Sequence, residues 1–495
     1  MTRLLAGLRA IATTHPTAPA LTGTSGTMSH AELWARVHVL AEWLRGRQAR
    51  VVALLADNHP DWVCLDLACL QAGCVFLPLP TFFTPGQWRH ALVDAGADLL
   101  IGSDETLARA AGAQGQSDTV PGTDWPAWSL ATVAGALPPG TVKITYTSGS
   151  TGQPKGVCLS GDNQYLVASA LAAAVDDPAP RHLCVLPLST LLENIAGVYA
   201  PLLRGGEVVV SGLQGLGYRG SQPLDAQAFL AAVAAAAPRS LILVPQLLEL
   251  LSTAAGRGWQ PPASLRFVAV GGSRVAASAI LRARRLGIPV HEGYGLSECA
   301  SVVSLNVPGF DKPGSAGRIL PHLQLQVDAD GGLHVRGNAF LGYAGQPDSW
   351  GHETVDTGDL GHLDADGQLC LDGRRKHLII SSLGRNISPE WVESEIMAHP
   401  GLRQCLLVGD ARPACGLLVH APDLDDAALS AWLAEVNARL PDYARVSRWA
   451  RLPEPFTAAA GLLTANGRPR RDLIAQHHQA LIDSLYPTAE EAIAS

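Results

Sequence analysis

The sequence predicts an α/β protein, with a large N-terminal domain of parallel-rich sheets flanked by helices and a small mobile α+β domain after it. Three observations carry that expectation. Short β-branched or leucine-rich runs recur at Val51–Leu55, Glu207–Val210, 241–244 and Phe267–Val270, each the length of a buried strand. Between them lie alanine- and leucine-rich stretches with helical spacing, among them 166–175 and 226–237. Finally, 495 residues exceed what one compact core holds. Past Gly373 the chain reads as strand, turn, helix over 389–399, strand over 405–408 and helix over 424–440, a self-contained α+β unit. The expected division is therefore 1–373, a hinge at 374–376, and 377–495.

Composition narrows the function. A net charge of −8 and no lysine or arginine run argue against a nucleic-acid surface. Of 36 basic residues only Lys143, Lys155, Lys312 and Lys376 are lysine, so any lysine kept at a site stands out. The nine cysteines include no C-x-x-C pair, and Cys64, Cys69 and Cys74 lie five apart, which fits reduced thiols rather than a metal site. Arg9 interrupts the first apolar run, and no apolar stretch reaches the roughly 18 residues that span a bilayer. A cytoplasmic protein without an integral membrane segment is expected.

The richest segment is Ile144-Thr-Tyr-Thr-Ser-Gly-Ser-Thr-Gly-Gln-Pro-Lys-Gly156. Small and hydroxylated residues leave backbone N–H groups uncovered, and Lys155 adds a mobile positive charge, which together suit a polyphosphate. Taken alone, this composition also suits a surface turn. The common G-x-x-x-x-G-K-[ST] nucleotide loop has no match.

Thr147-Ser-Gly-Ser-Thr-Gly-Gln-Pro-Lys155 resembles the phosphate-loop signature of the adenylate-forming superfamily, which includes acyl-CoA synthetases, amino-acid adenylation domains and luciferases. Further segments follow in that family's order. His291-Glu-Gly-Tyr-Gly-Leu-Ser-Glu298 resembles its G-Y-G-x-T-E motif, and Val270-Gly-Gly-Ser273 the strand end along the adenine edge. Thr357-Gly-Asp-Leu-Gly361 resembles T-G-D, Gly373-Arg-Arg-Lys376 resembles G-R-x-[KD], and 384–393 resembles the motif that opens the small domain. The resemblance runs from about residue 21 to 473, and is nearest to the long-chain acyl-CoA synthetase branch.

The resemblance implies ATP, magnesium and coenzyme A as reactants. Thr147, Ser148, Gly149, Ser150, Thr151, Gly152 and Lys155 would hold phosphates, with Ser297 on the α-phosphate and Glu298 on the metal. Gly271, Gly272, Ser273, Tyr294 and Gly295 would frame adenine, Asp359 and Arg374 the ribose, and Lys376 would be the hinge. The implied activity joins a carboxylic acid, fatty or otherwise apolar, to AMP and then to a thiol. That thiol is coenzyme A or a carrier protein's phosphopantetheine; Asp483-Ser-Leu485 reads as helix surface rather than a carrier attachment site.

Two positions depart from the pattern. Arg468, in Gly461-Leu-Leu-Thr-Ala-Asn-Gly-Arg468, stands where the family's lysine bridges the acid's carboxylate and the ribose. A guanidinium is a planar fork and an ammonium a point charge, so this position is either a working substitute, the mark of a specialised enzyme, or a lost first half-reaction. In the last case the chain binds ATP or an acyl-adenylate without catalysing. Thr190 replaces the histidine or aromatic residue usual beside the acyl carboxylate.

Overall fold

The computed structural model describes residues 2–131, 135–147, 154–219, 222–223, 225–382, 385–464 and 467–486. Two twisted sheets dominate. The first has eight strands, with Leu99–Gly102, Val51–Leu55, Val75–Pro78 and Lys143–Thr147 running parallel at its centre. The second has nine, centred on parallel Pro19–Gly23, Glu207–Val210, Arg181–Cys184, Ser240–Leu243, Phe267–Val270 and Val290–Leu296. Antiparallel strands finish both sheets at their edges, so the parallel order read from the sequence holds for the centres only.

Alternation along the strands explains the continuous apolar runs. Val52 and Leu54 of the first sheet, with Val208 and Val210 of the second, face a shared core between the sheets. Helices His30–Gly46, Pro60–Ala72 and Gly161–Val175 fill that space. Val51, Ala53 and Leu55 point the other way, toward helices Pro85–Ala95 and Glu105–Ala111. Leu183, Val185 and Val209 likewise face Pro245–Gly256 and Ala277–Arg285. Strands buried on both faces carry no polar alternation.

A third, antiparallel sheet of Gln324–Val327, Gly332–Arg336, Thr354–Leu363 and Leu369–Arg374 follows. From Ile379 onward the chain builds separate cores around the strands Gln404–Val408, Cys415–His420 and Val446–Arg451. Helix Pro389–Ile396 starts where its pattern does, capped by Ser388, and ends three residues sooner, whereas Asp426–Arg439 starts two residues later than its pattern, where Asp425 caps it. The Asp483–Leu485 segment ends a helix, Gln479–Ser484, with Leu485 buried rather than on its surface. None of the described helices is long and apolar enough to cross a membrane. All nine cysteines are unpaired, and eight are buried.

One buried charge ties the sheets together. Lys143, at the start of the strand leading to Thr147, donates to Asp66 at 2.9 Å and to the Tyr199 hydroxyl at 2.8 Å, and also to Asn194. Tyr199 and Asn194 each donate to Asp66 in turn, at 2.6 and 2.9 Å. Both sit on the π-helix Glu193–Tyr199, whose first residue, Glu193, is held by His182 at 2.7 Å. Gly197 admits that contact, since a Cβ there would collide with both side chains. Lys143→Ala leaves Asp66 charged and buried, so it should cost about 3–5 kcal/mol of stability. Urea unfolding checks this, and an unchanged midpoint would show the network to be neutral.

Candidate active site

Side chains from distant segments meet where strands Phe267–Val270 and Val290–Leu296 end, the usual place for a ligand in an open α/β sheet. Asp359 is central and only 5% exposed. The hairpin register sets it opposite Arg374, whose Nε lies 2.7 Å from one carboxylate oxygen. The Tyr294 hydroxyl donates to the other oxygen at 2.6 Å. Thr357 fixes the backbone: its hydroxyl donates to the Leu333 carbonyl and accepts from the Asp359 N–H. Burial, and then the Asp359 charge, push the Tyr294 phenol well above its ordinary value, so it remains a donor.

Beyond Leu296 the chain makes one tight turn, Ser297–Cys299. Ala300 and Ser301 follow with φ of 57° and 104°, a left-handed pair that non-glycine residues rarely adopt. Gly295 is required opposite, because a Cβ there would overlap the Ser301 carbonyl. This strained corner brings Glu298 to Tyr343, whose hydroxyl donates to it at 2.9 Å. Lys155 opens the strand Lys155–Leu159, which pairs with Gly342–Tyr343, and its Nζ lies 5.1 Å from the centre of the Tyr343 ring. Tyr343 thus links the two charges, a role with no signal in the sequence because it lies outside every recognised motif.

Gly271, Gly272 and Ser273 form the lip of the cleft, with Gly272 and Ser273 exposed. A Cβ on Gly271 would lie 3.3 Å from the Gly293 carbonyl, so the two strand ends approach closely. Arg468 reaches this lip from the C-terminal part, its Nη2 donating to the Gly272 carbonyl at 2.7 Å. Arg468 keeps solvent access, yet the surrounding protein and then Arg374 hold its pKa below the usual arginine value, while Asp359 and Glu298 act against them. It stays a cation. Beneath the lip, burial pushes the Glu292 carboxyl up to about 7, opposed by the neighbouring Arg274. Arg274 donates to the Leu371 carbonyl at 2.7 Å. Sequence reasoning missed this pair, since Glu292 lies inside a motif whose interest fell on its neighbours.

The structure therefore brings together Arg468, Gly272, Tyr294, Asp359 and Arg374, with Glu298 near enough to act on Arg468, and Glu298 in turn joins Tyr343 and Lys155 to the site. Thr147 ends its strand paired with Lys155. Ser148, Gly149, Ser150, Thr151 and Gly152 lie outside the described residues. Ser297 begins the tight turn and accepts from the Ala300 N–H through its carbonyl. Lys376 sits exposed in the turn between the third sheet and the small cores.

Magnesium suits Glu298. Tyr343 occupies one of its oxygens, and a hard carboxylate with a free oxygen is what a phosphate-bound magnesium takes from a protein. The single three-residue cluster among the described residues that could converge on an ion is His182, Cys184 and Glu193. That set is buried and soft, and its histidine and glutamate already bond each other, so it does not fit magnesium.

Comparison with known proteins identifies the family. Residues 8–343 match the AMP-binding enzyme model, and 376–490 match the AMP-binding enzyme C-terminal domain. A feruloyl-CoA synthase from Amycolatopsis sp is 32% identical, over 88% of this chain and 91% of that protein. A long-chain-fatty-acid–CoA ligase, FadD15 of Mycobacterium bovis, is 27% identical over 88% of each. The crystal structure of an anthranilate CoA ligase with anthranoyl-AMP shares the fold, with a TM-score of 0.80 at 18% identity over 96% of this chain and 97% of that one. The chain belongs to the AMP-binding enzyme family. It is an AMP-forming acid–thiol ligase.

Proposed function

We propose that the enzyme joins an apolar carboxylic acid, aliphatic or aromatic, to AMP with release of pyrophosphate, and then transfers the acyl group to coenzyme A. The observation that carries this reading is Arg468 bonded to the Gly272 carbonyl in the cleft that also holds Asp359 and Glu298. A cation delivered there is what the attack of one anion on another requires.

In the first step a carboxylate oxygen bonds to the α-phosphorus, and the bond to the β-phosphate oxygen breaks. The acid is already ionised near neutral pH, so no general base is needed. The barrier is electrostatic and positional. Arg468 would hold the carboxylate in line, and Lys155 with the segment Thr147–Gly152 would hold the phosphates. Ser297 would donate to the α-phosphate. Glu298 would hold magnesium, which when bound supplies charge neutralisation between the phosphates. Tyr294 would lie against adenine with Gly271–Ser273 at its edge. The two Asp359 oxygens, each with a lone pair beyond its present partner, would accept the ribose hydroxyls beside Arg374.

In the second step the thiol sulfur attacks the acyl carbonyl and AMP leaves. We divide the chain into a large domain, 1–373, a hinge, 374–376, and a small domain, 377–495, that rotates between steps about Lys376. The feruloyl and long-chain relatives support an apolar acyl group and bracket its shape.

A panel of ferulic acid, 2-succinylbenzoate and C8–C16 fatty acids, with ATP and magnesium, tests the reading. Pyrophosphate release with at least one acid, and its thioester when coenzyme A is added, is expected. Release without thioester would point to a carrier-protein acceptor. No release with any acid would sink the proposal.

A further inference from the structure

The link between the two domains is gripped on both sides of a single residue. Before it, Arg374 pairs with Asp359, and the Arg375 N–H donates to the Gly358 carbonyl at 3.0 Å. The Arg375 guanidinium also lies 3.1 Å from Asp328 and 3.6 Å from Asp356. Gly332 makes room for this pair, since a Cβ there would collide with both Arg375 and Asp328. After the link, His377 Nδ1 lies 2.5 Å from Glu390 Oε1. Between these grips Lys376 is exposed, with no side-chain hydrogen bond or ion pair among the described residues. The His377 N–H donates across it to the Arg374 carbonyl at 3.0 Å, a turn bond that rotation would have to break.

The grip on the far side extends further. Glu390 and Glu393 stand three apart on helix Pro389–Ile396 and therefore share a face. Arg471 takes both: its Nε lies 3.5 Å from Glu390, and its Nη2 donates to Glu393. The remaining Glu393 oxygen accepts from the Leu407 N–H at 2.6 Å, which ties the cluster to the small domain's sheet. Arg471 is three residues beyond Arg468. The intervening loop is braced by Thr464 N–H on the Arg468 carbonyl at 2.8 Å and Arg470 N–H on Leu462 at 2.9 Å. The Arg375 pairs are open to solvent and screened, whereas the Arg471 side chain is 15% exposed, so the small-domain grip is the firmer one.

We propose that His377, Glu390 and Arg471 are positioning residues that lock the Arg468 loop to the first residue after the pivot, leaving Lys376 to absorb the rotation. Arg468 then enters or leaves the cleft as the pivot turns, without slack between the two. The proposal rests on the two-step reading above, and its test needs no substrate.

Hydrogen exchange of the full chain, read in peptides covering 374–380 and 467–474, is compared for the parent, Glu390→Gln and His377→Ala. Both variants should speed exchange about tenfold in both peptides, with strand Cys415–His420 unchanged. His377→Ala, at the half-exposed end, is the decisive variant and serves alone if Glu390→Gln fails to fold. If it loosens 374–380 and leaves 467–474 at the parent's rate, the coupling is absent and the proposal falls. With an acid found in the panel, His377→Ala should lower kcat for pyrophosphate exchange about tenfold with KM for ATP unchanged. Equal kcat in the parent and variant would also overturn it. A parent inactive with every acid would overturn the two-step reading instead, while the exchange data would still judge the relay.

Discussion

Arg468→Ala is expected to slow ATP–pyrophosphate exchange at saturating ATP by a factor on the order of a hundred to a thousand. The guanidinium reaches the cleft through its bond to the Gly272 carbonyl, and among the described residues no other C-terminal cation bonds there. Without it, the carboxylate meets the phosphates with its repulsion unrelieved. Thioester formation from a pre-made acyl-adenylate should stay within a few-fold of the parent, because in the proposed rotation Arg468 has left the cleft before the second step. Arg468→Lys should adenylate at least as fast as the parent, since a point charge on a shorter stem still reaches one carboxylate oxygen. An Ala variant as fast as the parent would remove Arg468 from the reaction. A parent without exchange, and a Lys variant that gains it, would show that the arginine had silenced the first step.

The other large effect belongs to Asp359. Asp359→Ala should weaken ATP binding by two to four orders of magnitude, because two ribose hydroxyls lose an ionised acceptor at about 1.5–3 kcal/mol each. The change also frees Arg374 and the Tyr294 hydroxyl, which Asp359 holds in place. Asp359→Asn retains one acceptor oxygen and should fall between the two. Calorimetric titration with ATP decides, and an unchanged affinity would place the ribose elsewhere.

What could be read from the sequence was local. The runs at Val51–Leu55 and Phe267–Val270 are strands at those bounds, because double-sided burial writes itself as uninterrupted apolar residues. The motif segments holding Tyr294, Glu298, Asp359 and Arg468 do converge, although 65 residues separate Tyr294 from its partner Asp359. Contacts set by sheet order rather than by neighbours in the chain stayed hidden. Tyr343 reaches Lys155 and Glu298 because its short strand pairs at a sheet edge, and nothing in its own surroundings says so. Lys143 stood out as a rare lysine, but its burial follows from Asp66 and the π-helix lying across the core from it. The grips flanking Lys376 involve Asp328, Glu390 and Arg471, scattered over more than a hundred residues, with ordinary surface composition.

The nine unpaired cysteines acquire a meaning from this chemistry. An acyl-adenylate is a mixed anhydride that reacts with any thiolate within reach, and the enzyme holds one while awaiting its acceptor. Burial raises the pKa of every cysteine in the chain, pushing Cys74 and Cys415 up to about 11 and the half-buried Cys370 upward as well. At neutral pH a thiol of that kind is ionised about one part in ten thousand, far below an ordinary exposed cysteine. Cys299, next to Glu298 in the cleft wall, is fully enclosed and among the least ionised. Eight of the protein's thiols are thereby both enclosed and poorly ionised, which disfavours their capture of an acyl-adenylate and leaves the acceptor thiol with little internal competition.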